Sequence, residues 1–370
     1  MKLIIIKSNL REGLLALERA TAEHQNLPIL KNVLIEAQGN GIKLTTTNLE
    51  IAITTSVSGK VIEAGKITVP LDLFLNIINN LQSERLNIEY KNPLVEIKTD
   101  NYEATLQATP ADDFPIIPKI KNQDTSIEIQ SDILREALIQ VAPSAQFSEL
   151  RPELSSVFFS FLLDHIKLAA TDSFRLAEKT IPKTHLLKAP EEAFKILIPL
   201  KTVHEVIRIL KNNAPIKISR DENQVLFSSD QFELVSRLID ANFPDYEYLI
   251  PKTFDTKTTL NREEFLNAIK LVSVFSAKVH EIKLRLPEDR RHIEVFSGDR
   301  ALGENKYLLP VKADGSSREA SFNWRYLTDG LKAIPTESVF MGLNEDNKPA
   351  VIKSPNDASY FYILMPILKV

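Results

Sequence analysis

Between Thr171 and Arg175 the chain reads Thr-Asp-Ser-Phe-Arg. Two hydroxyls, a carboxylate and a guanidinium fall within five positions. Two chemistries suit such a set. A hydroxyl beside a base is a nucleophile, with the carboxylate orienting the base. Alternatively, the short polar residues shape a turn and the arginine anchors a carbonyl or carboxylate of a docked chain. Nucleophilic catalysis needs a histidine at hand. His165 lies in the preceding strand-like run FFSFLLDHIKLA, and no strand–turn–helix elbow supports a nucleophile. The stretch reads as the rim of a docking place rather than a catalytic centre.

Composition narrows the field. The chain has 370 residues, 44% hydrophobic and 25% charged, as in an ordinary folded protein with room for two or three domains. It has no cysteine, which excludes disulfides, thiolate zinc sites and a cysteine nucleophile together. The histidines, at 24, 165, 185, 204, 280 and 292, show no metal-ligand spacing. The 10 glycines form no GxGxxG or GxxxxGK pattern, and Gly39 and Gly41 read as a hairpin turn. No metal and no cofactor are expected. The opening MKLIIIKSNL is too short an apolar run for a secretory signal, and no stretch reaches the roughly 18 apolar residues of a membrane span, so a cytosolic protein is expected. A net charge of −4 argues against coating nucleic acid over the whole surface but leaves room for a local basic stripe.

The elements that must position the 171–175 stretch come in threes. MKLIIIKSNLREGLLALERA opens the chain, SIEIQSDILREALIQVAPSA begins at Ser126 and TKTTLNREEFLNAIKLVSVF at Thr256. Each reads as a strand, a capping residue (Ser8, Ser131, Asn261) and an amphipathic helix with apolar residues at helical spacing. A second trio, VPLDLFLNIINNL, IPLKTVHEVIRIL and FNWRYLTDGLKAI, predicts a further helix per copy, with Pro70 and Pro199 in the first turn and Asn323 in their place in the third. IKLTTTNLE, IKLAATDSF and IEVFSGDRA are strands running into polar turns. VEIKTDNYEATLQA, VLFSSDQFELVSRL and VIKSPNDASYFYILM are hairpins. The spacing predicts three tandem α+β domains of about 125 residues, at 1–124, 125–253 and 254–370, each with two helices packed on antiparallel sheets. Three like domains in line have two free ends. The surface that joins neighbours can be used again by a second chain, and head-to-tail contacts close into a ring where the rotation allows.

Cations recur at equivalent places on these helices: Lys7, Arg11 and Arg19; Arg135; Arg262, Lys270 and Lys278; Lys201, Arg208 and Lys211; Arg325 and Lys332. Solvated helix faces account for any one of them. Their repetition in an acidic protein favours a shared phosphate-facing surface that holds a polyanion without reading bases.

In order and spacing, NLPILKNVLI (26–35), LTTTNLEI (44–51), ADDFP (111–115), LAATDSFRLA (168–177), RLIDANFPDYEYLIPK (237–252) and YILMPIL (362–368) resemble the bacterial sliding clamps, the beta subunits of replicative DNA polymerase III, along the whole chain. The resemblance implies the DNA clamp fold: two chains joined head to tail as a ring around duplex DNA, helices inside and sheets outside. It implies a non-catalytic processivity factor, placed by an ATP-driven clamp loader. Such a ring tethers the polymerase alpha subunit, other polymerases and repair proteins through short peptides.

The same resemblance implies a peptide pocket between the second and third domains. Its residues here are Leu154, Thr171, Ser173, Phe174, Arg175, Leu176, Pro244, Tyr248, Leu249 and Pro349, with Ile363, Leu364, Met365, Pro366 and Ile367 from the tail. Leu, Met, Pro and Tyr make an apolar cleft for Leu or Phe anchors. By the same resemblance, His24, Ser148 and Arg151 are expected to join Lys7, Arg11, Arg135, Lys201, Arg208 and Arg325 as DNA-facing residues. It also implies a chain–chain contact at the edge strand NYEATLQA, with Ala104 and Leu106, and at Val274 and Phe275. Three departures bear on peptide preference: Ser173-Phe174 replaces a common Gly-His, Tyr248 stands where an arginine occurs, and Lys369 and Val370 follow Leu368. A monomeric peptide-binding scaffold without DNA is the alternative, and the mass of the purified chain separates the two.

Overall fold

The computed structural model describes residues 1–21, 27–39, 41–120, 126–210, 213–276, 280–299, 303–345 and 347–368. Among the described residues, six helices punctuate antiparallel strands: α1 (Lys7–Leu17), α2 (Leu71–Asn80), α3 (Ser131–Val141), α4 (Leu200–Ile209), α5 (Arg262–Val272) and α6 (Trp324–Lys332). None is long and apolar enough to cross a membrane.

The triplication is visible in the backbone. Lys7 N–H donates to the Glu84 carbonyl at 2.7 Å, Ser131 to Ala214 at 3.1 Å and Arg262 to Glu337 at 2.8 Å. Each bond ties the first turn of one helix to the residue before the strand that follows the next helix. The expected apolar stripes are buried, Leu10, Leu14 and Leu17 on α1 and Phe265, Ile269 and Val272 on α5. In the third copy the cap follows the expectation. Asn261 accepts from the Glu264 N–H at 3.0 Å, and Asn323 caps α6 through the Arg325 N–H. Ser8 lies inside α1, whose cap position is Ile6 without a side-chain bond, and Ser131 is the first residue of α3 rather than the one before it. Pro70 is the cap residue of α2 and Pro199 ends the strand before α4, so both prolines precede the helix instead of sitting in its first turn. A proline there loses no helical N–H bond. The Gly39 turn is a hairpin: Gly39 has φ +59°, and Gln38 pairs with Gly41.

The chain divides into two compact units. The first comprises Met1–Asp132, Leu186–Lys188 and Glu205–Leu238. It holds a five-stranded sheet in the order 59–63, 2–6, 85–91, 94–98, 103–107, and a nine-stranded sheet in which strand Ile51–Val57 pairs with strand Phe232–Arg237. The second unit comprises Ile133–His185, Ala189–His204 and Ile239–Val370. It holds another nine-stranded sheet, in which strand Arg175–Pro182 pairs with strand Tyr360–Leu364, and a four-stranded sheet in the order 303–310, 292–299, 281–286, 318–323. Both nine-stranded sheets are thus sewn by the same two strands of the repeat. One follows the polar turn of a copy, and the other is the last strand of the next copy's hairpin. Among the described residues, the remaining representatives of these two strands, Gly303–Pro310 and Glu103–Gln107, pair on one side only.

Candidate functional site

The Thr171–Arg175 turn is built by its own side chains. Thr171 Oγ1 donates to the Arg175 carbonyl at 2.7 Å and accepts from the Ser173 N–H at 3.2 Å. Asp172 Oδ1 accepts from the N–H groups of Phe174 and Arg175 at 2.9 and 3.0 Å. Ser173 is held at φ +77°. The first copy repeats the device bond for bond. Thr47 donates to Ile51 at 2.9 Å and accepts from Leu49, Asn48 accepts from Glu50 and Ile51 at 3.0 and 2.8 Å, and Leu49 has φ +72°. The hydroxyl and carboxylate are therefore spent on backbone, in a turn that exists without an arginine. Nothing remains poised for nucleophilic chemistry, and His165 is engaged by Asp164 at 2.8 Å.

Arg175 departs from the role expected of it. Its side chain is 10% exposed. Nε donates to Asp172 Oδ2 at 2.9 Å, Nη1 donates to Asp329 Oδ2 at 2.6 Å, and the guanidinium carbon lies 4.2 Å from the Tyr326 ring centroid. Burial works against the charge, but Tyr362, Asp172 and Asp329 outweigh it and hold the guanidinium pKa above its ordinary value. Tyr326 and Asp329 stand three residues apart on α6, so they share a helix face, and Tyr362 donates to the Tyr326 carbonyl at 2.9 Å. Gly330 lets the Tyr362 ring in, since a Cβ there would lie 2.6 Å from it. This network was not legible in the sequence. The i, i+3 pair Tyr326–Asp329 was its only trace.

Two residues of the expected pocket, Leu176 and Ile363, share one buried cluster. Leu176 and Ile363, opposite each other across the strand pair, are buried with Ala169, Val351 and Tyr246, and Phe158, Phe243 and Ile250 pack against them. Phe243 stacks on Phe158 and meets Tyr246 edge-on. Burial first, then a short hydrogen bond to Glu178, raises the Tyr246 phenol above its usual range. Leu154 and Thr171 are buried. Pro244, Pro349, Met365, Pro366 and Ile367 are half-buried, while Ser173, Phe174, Tyr248 and Leu249 are exposed. Met365 N–H donates to the Phe174 carbonyl at 2.8 Å, which brings the tail onto the turn. Leu364 does not line the site. It pairs with Arg175 but is 0% exposed, because alternate residues of a strand face opposite sides.

Three family models match the chain: the N-terminal domain of the DNA polymerase III beta subunit over residues 1–118, the central domain over 128–245 and the C-terminal domain over 247–368. The chain belongs to the DNA polymerase III beta subunit family. It is similar to the beta sliding clamps of Synechococcus elongatus, 26% identical over 374 residues, and Bacillus subtilis, 27% over 379, with 99% of each chain covered. The solved B. subtilis DNA polymerase sliding clamp superposes with TM-score 0.95 at 27% identity, and the Thermotoga maritima beta subunit with 0.91 at 26%, both over 100% of each chain. Members of this family are processivity factors rather than enzymes, in keeping with a turn whose polar groups are structural.

The residues expected at the clamp's DNA face are mostly engaged within the chain. Lys7 Nζ donates to the Leu81 carbonyl and Arg11 Nε to Asn79 at 2.7 Å. Arg208 departs furthest from the expectation. Glu205 orients it at 2.8 Å, and its Nη1 and Nη2 cap the carbonyls of Leu15 and Ala16 at the end of α1. Arg151 bonds Glu153 at 3.0 Å and Ser173 Oγ at 3.1 Å, so it braces the Thr171–Arg175 turn, and Ser148 fixes the Arg151 backbone. Lys201 lies 5.8 Å from the Phe147 ring centre and Arg325 5.4 Å from that of Trp324. Arg135 is exposed. His24, Lys211 and Lys278 lie outside the described residues. At the expected clamp–clamp contact, Leu106 is buried in its own copy and Ala104 half-buried, so strand Glu103–Gln107 offers its backbone edge. Val274 is 70% exposed and Phe275 half-buried, packed toward Gly303.

Proposed function

We propose that two copies of the chain join head to tail as a ring that encircles duplex DNA and tethers polymerases and repair proteins by short peptides docked on the Leu176–Ile363 cluster. The observation that carries the ring is the pair of orphan strands. Within the chain, the strand after a copy's turn always pairs with the last hairpin strand of the next copy. Only the third copy's Gly303–Pro310 and the first copy's Glu103–Gln107 lack such a partner among the described residues. Joined between two copies, the four-stranded and five-stranded sheets complete a third nine-stranded sheet. That join also removes two exposed sheet edges.

Helix packing supports the same seam. Leu271 and Val274, at the end of α5, are exposed apolar residues, and α2 presents a cleft lined by Asn76, Ile77, Asn80, Leu81 and Tyr102. Lys7, Arg11 and Arg208 are tied up within the chain, so the linkage to DNA is topological rather than a tight grip. A clamp loader is needed to open the ring. The domain limits 1–124, 125–253 and 254–370 are the repeat units of this reading. Sedimentation of the purified chain tests the ring first, with a dimer expected. Loaded protein should then stay on closed circular duplex and run off a linear one. A monomer at micromolar concentration, or equal retention on both DNAs, overturns the reading.

A further inference from the structure

Resting on that docking reading, we infer that this clamp selects uncharged peptides with an aromatic flank, and that Phe174 and Tyr248 set the preference while Arg175 takes no part in binding. Charge comes first. Three cations beside the turn already have partners: Arg175 with Asp172 and Asp329, Arg151 with Glu153, Lys167 with Glu247 at 3.5 Å. The neighbours of Tyr248 are acidic, Asp245 and Glu247, and both are exposed. An acidic ligand therefore finds these three cations already paired and meets the Asp245 carboxylate. A neutral one loses nothing.

The aromatics come next. Phe174 is 60% exposed and Tyr248 76%. Phe174 is held in place by two tethers, its N–H on Asp172 and its carbonyl on Met365 N–H. Tyr248 sits two residues from buried Tyr246, in the short 3-10 turn Glu247–Leu249. The buried floor residues Leu176 and Ile363 lie beside both anchoring points. The first copy supplies an internal control. Its identical turn places Glu50 where Phe174 stands, with Arg237 N–H on the Glu50 carbonyl at 3.0 Å. The turn accepts a charged residue at this position, so the exposed phenyl ring is not a demand of folding. Flat, rigid rings flanking an apolar floor gain most from a third ring, at small entropic cost.

The test uses the full chain and acetylated octapeptides carrying Leu and Phe anchors in a Ser/Asn background, flanked by two Ser, two Asp or Ser-Trp, titrated by calorimetry. The Trp flank should bind about 3- to 10-fold tighter than the Ser flank. The Asp flank should bind no tighter than Ser, and affinities should change less than about twofold between 50 and 500 mM NaCl. Phe174→Ala and Tyr248→Ala, both surface changes, should each bring the Trp-to-Ser affinity ratio toward one, whatever they do to the Ser-flank affinity itself. Tighter binding of the Asp peptide at low salt, or a full Trp gain in both variants, overturns the inference. A wild-type chain that binds none of the peptides overturns the docking reading itself, and this inference with it.

Discussion

Arg175 and Asp329, 154 residues apart, meet at 2.6 Å beneath the Thr171–Arg175 turn. The bond fastens the strand after that turn to the last full turn of α6, and Asp172 grips the same guanidinium from the other side. The two carboxylates are unequal. Asp172 is almost fully buried and accepts three bonds, whereas the Asp329 side chain is 37% exposed. Asp329→Ala should cost about 1–2 kcal/mol after allowance for solvent screening. Asp172→Ala should cost about 3 kcal/mol or more, because two backbone donors and a guanidinium lose their acceptor. Chemical denaturation of both variants checks the order. Asp329→Ala should also make acidic peptides bind in a salt-dependent way, since it half-releases the cation.

Three buried phenols make the fold sensitive to alkali. Burial raises the pKa of Tyr246, Tyr360 and Tyr362 above the ordinary value near 10. In each case the folded state holds the proton more tightly than the unfolded state. Their contribution to stability is complete below about pH 10 and is lost as pH climbs from there toward the folded values. Absorbance at 295 nm should show these three ionising only as the chain unfolds. A single smooth titration with the fold intact would count against burial of the network.

Gly330→Ala tests the close approach of α6 to Tyr362. The new Cβ meets the ring at 2.6–2.9 Å, and the ring is pinned by its hydroxyl on the Tyr326 carbonyl. The gain in helix propensity, about 1 kcal/mol, is outweighed by overpacking of about 1–3 kcal/mol. A lower thermal midpoint is expected, although glycine-to-alanine changes in helices ordinarily stabilise.

Arg208 shows why part of the molecule was legible in the sequence and part was not. Repeat order, helix stripes and hairpins are local and periodic, so Leu10–Leu14–Leu17 or the alternation of strand 94–98 could be read directly. The use of a charged side chain depends on what folds against it. Arg208 and Arg135 look alike in sequence, yet the first caps α1 and the second is exposed. The same limit hid the Arg175 network, whose members come from positions 172, 326, 329 and 362. It also hid the direction of Leu364, which a one-residue register change would reverse. Arg208→Ala should orphan the Leu15 and Ala16 carbonyls and cost about 1–3 kcal/mol. In the third copy the corresponding carbonyls of Lys270 and Leu271 are met by Ser273 Oγ and Asn305 Nδ2 at 3.0 Å each, so this helix end needs no neighbour and leaves no unmet carbonyl when copies separate.

A join between copies that repeats the internal joins has a predictable register. Thr46 Oγ1 donates to the end of α1 and Ser297 Oγ to the end of α5, which aligns the two copies. Leu176 pairs with Ile363 and Ala52 with Val235; the same place in the third copy belongs to Glu304, opposite Gly298, and in the first copy's hairpin to Thr105. Carrying the register along sets Glu304 opposite Thr105, Asn305 opposite Ala104 and Lys306 opposite Glu103 of a second copy. Opposite charges directly across an antiparallel pair are worth about 0.2–1 kcal/mol, and a ring of two has two seams. Lys306→Glu should therefore weaken the dimer about 10-fold, with Glu103→Lys in the same chain restoring most of the loss. Each change also breaks an in-chain pair, Lys306 with Glu294 or Glu103 with Lys98, so the double variant must be compared with both singles. Sedimentation equilibrium across a dilution series measures the coupling. Strictly additive losses would place some other pair of residues at the seam.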